Sequence, residues 1–256
     1  MPMSAMSVMN KQVKKSAFAE GSPRIPTGIP GLDDMMEGGF EKGSVNIVAG
    51  ESGTGKSILS LQFLYNGAIK HGHTCLYITF EEKKDQIKEH MHRFGMNFDE
   101  LEEKKKMFIY EYSPQEVDRF INDGGMIEKV IRSNGVDRLV LDSITSYAVL
   151  FENEQKRRAA VVKLLDTIRK WGCTTVLPSE ASTVSAFGEV RAKFSIEYLA
   201  DALLAIYSIR KGDVREMALE VLKMRGTAHS KRLAPMKITK EGIVLYPDQP
   251  FFAKQF

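Results

Sequence analysis

The stretch Ser44–Ser57, SVNIVAGESGTGKS, decides the fold of this chain. An apolar run comes first, and Gly50, Gly55, Lys56 and Ser57 then match every fixed position of the pattern G-x-x-x-x-G-K-[ST]. Glycines let the backbone wrap closely around phosphate oxygens, and its N–H groups then point inward at the positive end of the following helix. The stretch therefore predicts a strand, a phosphate-binding P-loop and a helix.

Two residues of the loop carry side-chain chemistry. We expect Lys56 to bring its ammonium to the β- and γ-phosphates of ATP and the Ser57 hydroxyl to ligate Mg²⁺. The alternative is a chance glycine-rich turn. The apolar strand SVNIVA before the loop and the amphipathic helix SILSLQFLYNGAI after it supply the context that the motif requires, so we favour the nucleotide site.

Strands and helices alternate along the rest of the core. The predicted strands are Val45–Ala49, Cys75–Phe80, Met107–Tyr112, Arg138–Ile144 and Thr174–Pro178, and the predicted helices are Lys56–Ile69, Lys84–Phe94, Gln115 to about Arg132 and Glu154–Lys170. This alternation predicts an α/β fold with a mostly parallel sheet and helices on both faces. Two antiparallel hairpins follow, Leu203–Arg210 with Val214–Arg225 and Met236–Thr239 with Ile243–Tyr246.

Composition limits the classes of protein that fit. The 256 residues are 43% apolar, and 36 basic against 33 acidic residues leave a net charge of +3, so charge gives no global reason to expect nucleic acid or an anionic membrane as a partner. No stretch approaches the roughly 20 apolar residues that span a bilayer. Cys75 and Cys173 each open an apolar strand run, which favours buried thiols in a reducing cytoplasm. We predict a flexible tail over residues 1–23 and one domain over residues 24–256.

Acidic residues follow two of the predicted strands. Asp142 ends the apolar run RLVLD and is predicted to hold Mg²⁺, directly or through water, although such a residue can also be a simple helix cap. Glu81 and Glu82 follow the strand at Cys75–Phe80, where a carboxylate can orient the water that attacks the γ-phosphate. Because successive strand residues face opposite ways, only one glutamate should face that water, and we favour Glu81.

A basic segment, LKMRGTAHSKR over Leu222–Arg232, lies near the C-terminus. Its odd-numbered polar residues would line one face of an extended chain, provided that Gly226 does not break the register. This face would carry Lys223, Arg225, Thr227 and His229. Such a row could grip a triphosphate, or it could be an edge strand whose charge discourages aggregation. The pattern alone leaves these two interpretations equal.

Together these motifs resemble the KaiC family within the RecA/RadA-type ATPases. The resemblance rests on PTGIPGLDDMMEGGF, GESGTGKS, TFEE, LVLDSITS, KMRGTAHS and ITKEGIVLYP, and covers nearly everything from Arg24 to Asp248. KaiC clock proteins carry two such domains in tandem, so this chain looks like the single-domain KaiC-like proteins frequent in archaea. The resemblance implies a RecA-like P-loop core and six-membered rings with ATP at each subunit interface.

The resemblance also implies roles for individual residues. It implies cis contacts to the nucleotide from the loop, for which our full candidate set is Gly50, Glu51, Ser52, Gly53, Thr54, Gly55, Lys56, Ser57 and Ile58. It implies that Glu81 and Glu82 match the family's catalytic glutamate pair. Contacts in trans to the neighbour's ATP would come from Lys223, Arg225, Thr227 and His229, with Arg225 part of the catalytic set. Glu180 sits where RecA-type proteins place a γ-phosphate sensor.

The chain departs from the family pattern at two places. Lys240 stands where the clock member often has an Asp near the adenine, which puts the base contact in doubt. Glu197-Tyr198 stands where the autokinase domain of the clock protein has a Ser-Thr pair. The chain therefore resembles the non-phosphorylated ATPase domain more closely.

Three functional interpretations follow. We favour a cytoplasmic KaiC-like ring ATPase that hydrolyses ATP with Mg²⁺ and drives a regulatory or signalling state through a protein partner that the sequence does not identify. A RecA/RadA-like DNA-dependent ATPase would need basic loops facing the ring centre, which Ser146–Arg158 and Ala181–Lys193 could supply through Lys156, Arg157, Arg158, Arg191 and Lys193. The third is a nucleotide-gated scaffold, such as an accessory ATPase of the archaeal motility motor, against which Glu81 and Glu82 argue.

Overall fold

The computed structural model describes residues 23–251 apart from 124, 184–189, 193, 195 and 196. The strands are β1 (Arg24–Ile25), β2 (Phe40–Glu41), β3 (Val45–Gly50), β4 (Cys75–Thr79), β5 (Met107–Glu111), β6 (Arg138–Asp142), β7 (Thr174–Thr183), β8 (Val190–Ala192), β9 (Ala202–Lys211), β10 (Val214–Met224), β11 (Ala234–Thr239) and β12 (Gly242–Leu245). The helices are α1 (Lys56–His71), α2 (Lys84–His92), α3 (Phe98–Glu103), α4 (Pro114–Asp123), α5 (Met126–Asn134), α6 (Ile144–Val149) and α7 (Glu154–Trp171).

Most of these strands form one sheet. Strands β9, β3, β7, β6, β4 and β5 are parallel neighbours in that order, and β10, β11 and β12 continue from β9 as antiparallel strands. The β8 strand pairs with β7, and β1 pairs with β2 in a separate small sheet. The mostly parallel sheet and both C-terminal hairpins are therefore confirmed. The loop after β3 lies in the middle of the sheet, because β3 is the fifth of the nine strands in this order.

Helices cover both faces of the sheet, so the central strands are mostly apolar. Every residue of β3 and of β4 is buried, as expected for parallel strands with two covered faces. Successive residues of β4 point into different cores. Tyr77 packs in the cluster that includes Phe63 of α1, and Ile78 packs in the cluster that includes Leu164 of α7. The apolar runs thus position both the loop and the strand ends that surround it.

Several predicted boundaries are wrong, and three of them have a clear physical reason. The helix predicted from Gln115 to about Arg132 is in fact two helices, α4 and α5. Gly125 precedes α5 and has a φ of +127°, which residues other than glycine rarely adopt. The strand predicted over Arg138–Ile144 ends at Asp142, because the Ser143 side chain caps α6. The strand predicted over Thr174–Pro178 continues to Thr183, where its last residues pair with β8.

Other sequence-based expectations have different outcomes. Cys75 and Cys173 are both buried, as predicted, and they are not joined in a disulfide. None of the helices within the described residues combines the length and the apolar composition that crossing a bilayer requires. The predicted tail, residues 1–23, lies outside the described residues except for Pro23, so the division from a domain at residues 24–256 stays a prediction.

Candidate functional site

The loop between β3 and α1 depends on glycine at three positions. Gly53 and Gly55 have φ values of +78° and +90°, in the left-handed region. At Gly50 the obstacle is contact: a Cβ atom there would lie 2.6 Å from Thr54 Oγ1 and 3.0 Å from the Ile206 carbonyl oxygen. These glycines let the chain leave the sheet, turn tightly and enter α1, whose N-terminus then carries unpaired N–H groups toward the loop.

Lys56 is the first residue of α1, and its ammonium lies over the loop. Its Nζ donates to the carbonyl oxygen of Glu51 at 2.8 Å, and Thr54 Oγ1 donates to the same carbonyl at 2.8 Å. Burial lowers the pKa of Lys56, while the nearby carboxylates, Asp142 first among them, act in the opposite direction. The loop therefore holds a half-buried cation beside carboxylates, at the place where phosphate oxygens would enter.

Asp142 comes to this loop because of the strand register. Asp142 ends β6 and pairs with Thr79 at the end of β4. Its Oδ2 accepts two hydrogen bonds of 2.7 Å, one from Ser57 Oγ and one from the Tyr77 hydroxyl. Burial raises the pKa of the Asp142 carboxyl, and these two hydrogen bonds oppose that shift. The carboxylate is thus held directly beside the serine of the loop.

The oxygen ligands beside the loop suit Mg²⁺. The Ser57 hydroxyl and the Asp142 carboxylate are hard oxygen ligands within one hydrogen bond of each other, and Mg²⁺ prefers one or two protein oxygens together with substrate phosphates and waters. No cluster of three or more His, Cys, Asp or Glu residues among the described residues could hold a metal ion alone. The Ser57 and Asp142 oxygens fit a metal that binds together with nucleotide phosphates.

Glu81 and Glu82 differ in their contacts, as expected, but the reason given from the sequence is wrong. Strand β4 ends at Thr79, and both glutamates lie on the bend after it, where Thr79 Oγ1 accepts their backbone N–H groups at 3.3 and 3.1 Å. The Glu81 carboxylate accepts a hydrogen bond from the Ser146 hydroxyl and lies close enough to affect the pKa of Lys56. Glu82 Oε1 instead lies 2.6 Å from His90 Nδ1. Glu81 is therefore the glutamate on the loop side.

Glu180 also lies at this edge of the sheet. It pairs with Gly50 in the register of β7 and β3, and it is one of the carboxylates that affect the pKa of Lys56. Its backbone N–H donates to Thr145 Oγ1 at 2.8 Å. Its position agrees with that of the proposed γ-phosphate sensor, and its role stays a prediction.

Arg225 lies at the opposite end of the sheet. Its backbone N–H donates to the Asp201 carbonyl at 2.9 Å, and the Asp201 N–H donates to the carbonyl of Val45 at 2.8 Å. Val45 is the first residue of β3 and Gly50 is its last. A strand of this length, at about 3.3 Å per residue, places these ends about 16 Å apart, beyond the reach of one side chain. Arg225 therefore cannot reach the loop of its own chain.

The condition set for the basic segment is not met, so Lys223, Arg225, Thr227 and His229 do not share one extended face. Strand β10 ends at Met224, and Gly226 has a φ of +61° that turns the chain. After the turn, the Thr227 hydroxyl donates back to the carbonyl of Arg225 at 3.2 Å. The glycine thus breaks the register, and the segment forms a turn instead of a row.

Lys223 and Arg225 nevertheless meet on one short stretch of chain. Lys223 Nζ donates to the carbonyls of Tyr198 and Ala200 at 3.1 and 2.7 Å. Arg225 donates to the carbonyl of Tyr198 at 3.3 Å and to Asp201 Oδ1 at 3.1 Å. Beyond the turn, His229 Nε2 lies 3.1 Å from Lys231 Nζ. Lys223 and Arg225 therefore place two basic groups at this end of the sheet.

The residues that favoured a DNA-binding loop are partly engaged elsewhere. Arg157 donates to the carbonyls of Ala148 and Phe151, so it ties α7 to the end of α6. The Arg158 guanidinium lies 5.1 Å from the ring centroid of Tyr198. The side chains of Arg191 and Lys193 lie outside the described part of the chain.

Sequence reasoning missed two residues of this site. Tyr77 reaches Asp142 from the middle of β4, where an aromatic residue is expected in any buried strand. Ser146 reaches Glu81 from α6, a helix that the sequence pattern assigned partly to a strand. A signal existed for Tyr77 alone: it stands two residues before Thr79 and therefore shares its face of the sheet.

Most of the chain, including this loop, is similar to known proteins. The family described as "ATPase: KaiC" matches residues 25–250. The circadian clock oscillator protein KaiC of Nostoc sp. is 32% identical over 250 residues, which cover 94% of this chain and 48% of that protein. The protein of the same description from Synechococcus elongatus is 31% identical over 255 residues, with 96% and 48% covered. The chain thus spans about half the length of the curated relatives it matches.

A solved structure agrees along its whole length. The crystal structure of a KaiC-like protein from the hyperthermophilic archaeon Pyrococcus horikoshii superimposes with a TM-score of 0.78 at 32% identity, and the match covers 88% of this chain and 100% of that chain. This agreement and the strand order confirm the predicted fold, a RecA-like α/β core with C-terminal antiparallel strands.

Proposed function

The chain belongs to the KaiC family of ATPases, and from this we propose that it binds ATP with Mg²⁺ at Gly50–Ser57 and hydrolyses it to ADP and phosphate. One observation carries the proposal: Lys56, Ser57, Asp142 and Glu81 converge at the carboxyl edge of the parallel strands. In open α/β sheets this edge is where ligands bind. The direct test is phosphate release by the purified chain with ATP and Mg²⁺.

The residues divide the work of phosphoryl transfer. Lys56 holds the β- and γ-phosphates, and the N–H groups of the loop surround their oxygens. Ser57 and Asp142 would hold the metal, which would supply positive charge beside the phosphates. Both thiols are buried, which supports a reducing cytoplasm as the place of action.

Glu81 is proposed as the residue that orients the attacking water. We expect Glu81→Gln to leave ATP bound and to slow hydrolysis by roughly 10²-fold or more, because the base is lost while the phosphate contacts stay. Glu82→Gln is the matched control: it removes a carboxylate of the same bend, but one that contacts His90 instead of the loop side, so it should reduce the rate less. Single-turnover hydrolysis and nucleotide binding measure both. Equal, small effects would mean that the two glutamates only form the bend before α2.

A complete site is proposed to need two subunits. Arg225 cannot reach its own loop, and basic groups gather at its end of the sheet, which supports contacts in trans to the ATP of a neighbouring subunit. Lys223, Thr227 and His229 would join it there. We propose a closed ring, a hexamer in the family pattern, with ATP at each interface.

The nucleotide cycle is proposed to serve a regulatory or signalling state. Relatives described as circadian clock oscillator proteins are about twice as long as this chain, so their clock role is not carried over.

A RecA/RadA-like activity on DNA would instead show as strongly salt-dependent DNA binding. The protein partner is unknown, and comparing the proteins that the chain captures with ATP and with ADP is the experiment that would find it.

Self-phosphorylation near Tyr198 is expected to be absent or slight. A kinase needs an acceptor hydroxyl held in line with the γ-phosphate. Glu197 has no hydroxyl, and the long Tyr198 side chain should overshoot a site built for Ser or Thr. Ser195, the nearby substitute, lies outside the described residues. Intact-protein mass and peptide mapping after incubation with ATP and Mg²⁺ test this. A stoichiometric phosphate between residues 194 and 201 would move the function from ATPase to autokinase.

A further inference from the structure

Two hydroxyl groups donate to the same oxygen of Asp142. Ser57 Oγ and the Tyr77 hydroxyl both donate to Oδ2 at 2.7 Å. Ser57 belongs to the phosphate-binding loop, whereas Tyr77 lies in the middle of β4 with 1% of its surface exposed. The Asp142 carboxylate would therefore keep its hydrogen bond from Tyr77 even when the Ser57 hydroxyl turns to another partner.

The location of Tyr77 makes its hydroxyl a rigid support. Its ring packs in the core cluster with α1, and the strand that carries it is hydrogen-bonded to β5 on one side and to β6 on the other. A tyrosine has only two side-chain torsions, and packing on both sides fixes them. By contrast, the serine hydroxyl rotates freely about its Cβ–Oγ bond. The tyrosine thus defines where Oδ2 lies.

We propose that Tyr77 is a positioning residue of the metal site, whose hydroxyl holds the Asp142 carboxylate in the orientation in which it receives Mg²⁺. The inference rests on the proposed function, because it assumes that Asp142 and Ser57 serve the metal. Partners that orient a ligating carboxylate are as important as the ligand itself, and their loss commonly weakens metal affinity 10–100-fold.

The test is Tyr77→Phe, which removes the hydroxyl and keeps the ring. With the protein saturated with ADP, we expect its affinity for Mn²⁺, measured from the electron paramagnetic resonance signal of the free ion, to fall about 10-fold or more. In turnover with ATP, the Mg²⁺ concentration for half-maximal rate should rise, and the rate at saturating Mg²⁺ should recover toward that of the wild type. A purely structural role would change stability without this shift in metal dependence.

Tyr147→Phe is the matched control. Tyr147 is equally buried, and its hydroxyl donates to a carboxylate, Asp118 Oδ1, at 2.8 Å. That carboxylate belongs to α4 and has no place in the proposed metal site. The control therefore removes a hydrogen bond of the same kind, and we expect Mn²⁺ affinity to stay unchanged.

A double-mutant cycle tests whether the effect passes through Asp142. In an Asp142→Asn background, adding Tyr77→Phe should change Mn²⁺ affinity little, because the carboxylate that the hydroxyl orients is already gone. Should Tyr77→Phe not fold, Tyr77→Met also lacks the hydroxyl and can fill the core space. We expect the same loss of Mn²⁺ affinity from it.

The outcomes separate the two levels of the argument. Unchanged Mn²⁺ affinity in a folded Tyr77 variant, with a wild type that binds Mn²⁺ and hydrolyses ATP, overturns the role of Tyr77 and leaves the proposed function in place. An equal loss in Tyr147→Phe also overturns it. If instead the wild type neither binds Mn²⁺ with ADP nor hydrolyses ATP, the proposed function itself fails.

Discussion

Replacing Lys56 with alanine is expected to abolish ATP hydrolysis and to weaken ATP binding severely. The substitution removes the cation that lies over the loop, where Nζ now contacts the Glu51 carbonyl, and leaves the β- and γ-phosphates without their point charge. The carboxylates of Asp142 and Glu81 would then lie near the phosphates without the positive charge of the ammonium between them. Phosphate release and equilibrium binding of a fluorescent ATP analogue measure the two effects.

A second lysine of the same helix provides the control. Lys70 lies in the last turn of α1 and donates to the carbonyl of Gly28 at 2.9 Å, far from the loop at the start of the helix. Lys70→Ala therefore removes the same charge from α1 and should leave turnover close to that of the wild type. Near-normal hydrolysis by Lys56→Ala would refute the assignment of the loop and with it the whole ATPase proposal.

Replacing Arg225 with alanine is expected to reduce the rate of hydrolysis roughly 10³-fold, the scale for loss of an arginine finger supplied by a neighbour. ATP binding should be reduced less, because the loop that holds the phosphates lies at the other end of the sheet. Arg132→Ala is a suitable control, since it removes an exposed arginine of α5 that pairs only with Glu128 on the same helix in the described contacts. The measurement is steady-state hydrolysis at several protein concentrations.

Mixing two inactive variants tests the trans assignment directly. In a ring of Arg225→Ala and Lys56→Ala subunits, some interfaces combine an intact loop from the first with an intact arginine from the second. We expect such mixtures to regain part of the activity, and mass measurement with ATP and Mg²⁺ to show a closed ring, a hexamer by the family pattern. A monomer with full activity would contradict both statements.

The sequence predicted the phosphate-binding loop and the sheet because local patterns encode them. Gly50, Gly55, Lys56 and Ser57 form a motif whose residues all lie within eight positions of the sequence. Apolar runs similarly identify strands buried on both faces, since burial on two sides removes the polar alternation. Asp142 was predictable for the same reason, as the polar residue that ends such a run.

Other features depend on contacts that one segment alone does not contain. The support of Asp142 by Tyr77 requires the parallel register of β4 and β6, and such a register joins residues far apart in the chain. The distance of Arg225 from its own loop likewise depends on the antiparallel return of β10 along β9. The break between α4 and α5 was instead a missed local signal, because the paired glycines Gly124 and Gly125 stand in the sequence.

The separation of the loop and Arg225 at opposite ends of one sheet gives the subunit a direction. A neighbour that supplies Arg225 must place the end of its sheet that carries Arg225 against the end that carries the loop. The contact therefore joins unlike surfaces. Two subunits related by a two-fold axis place like surfaces together, and neither of their sites would be completed. An open chain of subunits leaves one terminal loop without an arginine, whereas a closed cycle leaves none. Activity per subunit should therefore rise with the length of an open assembly and reach its limit at closure.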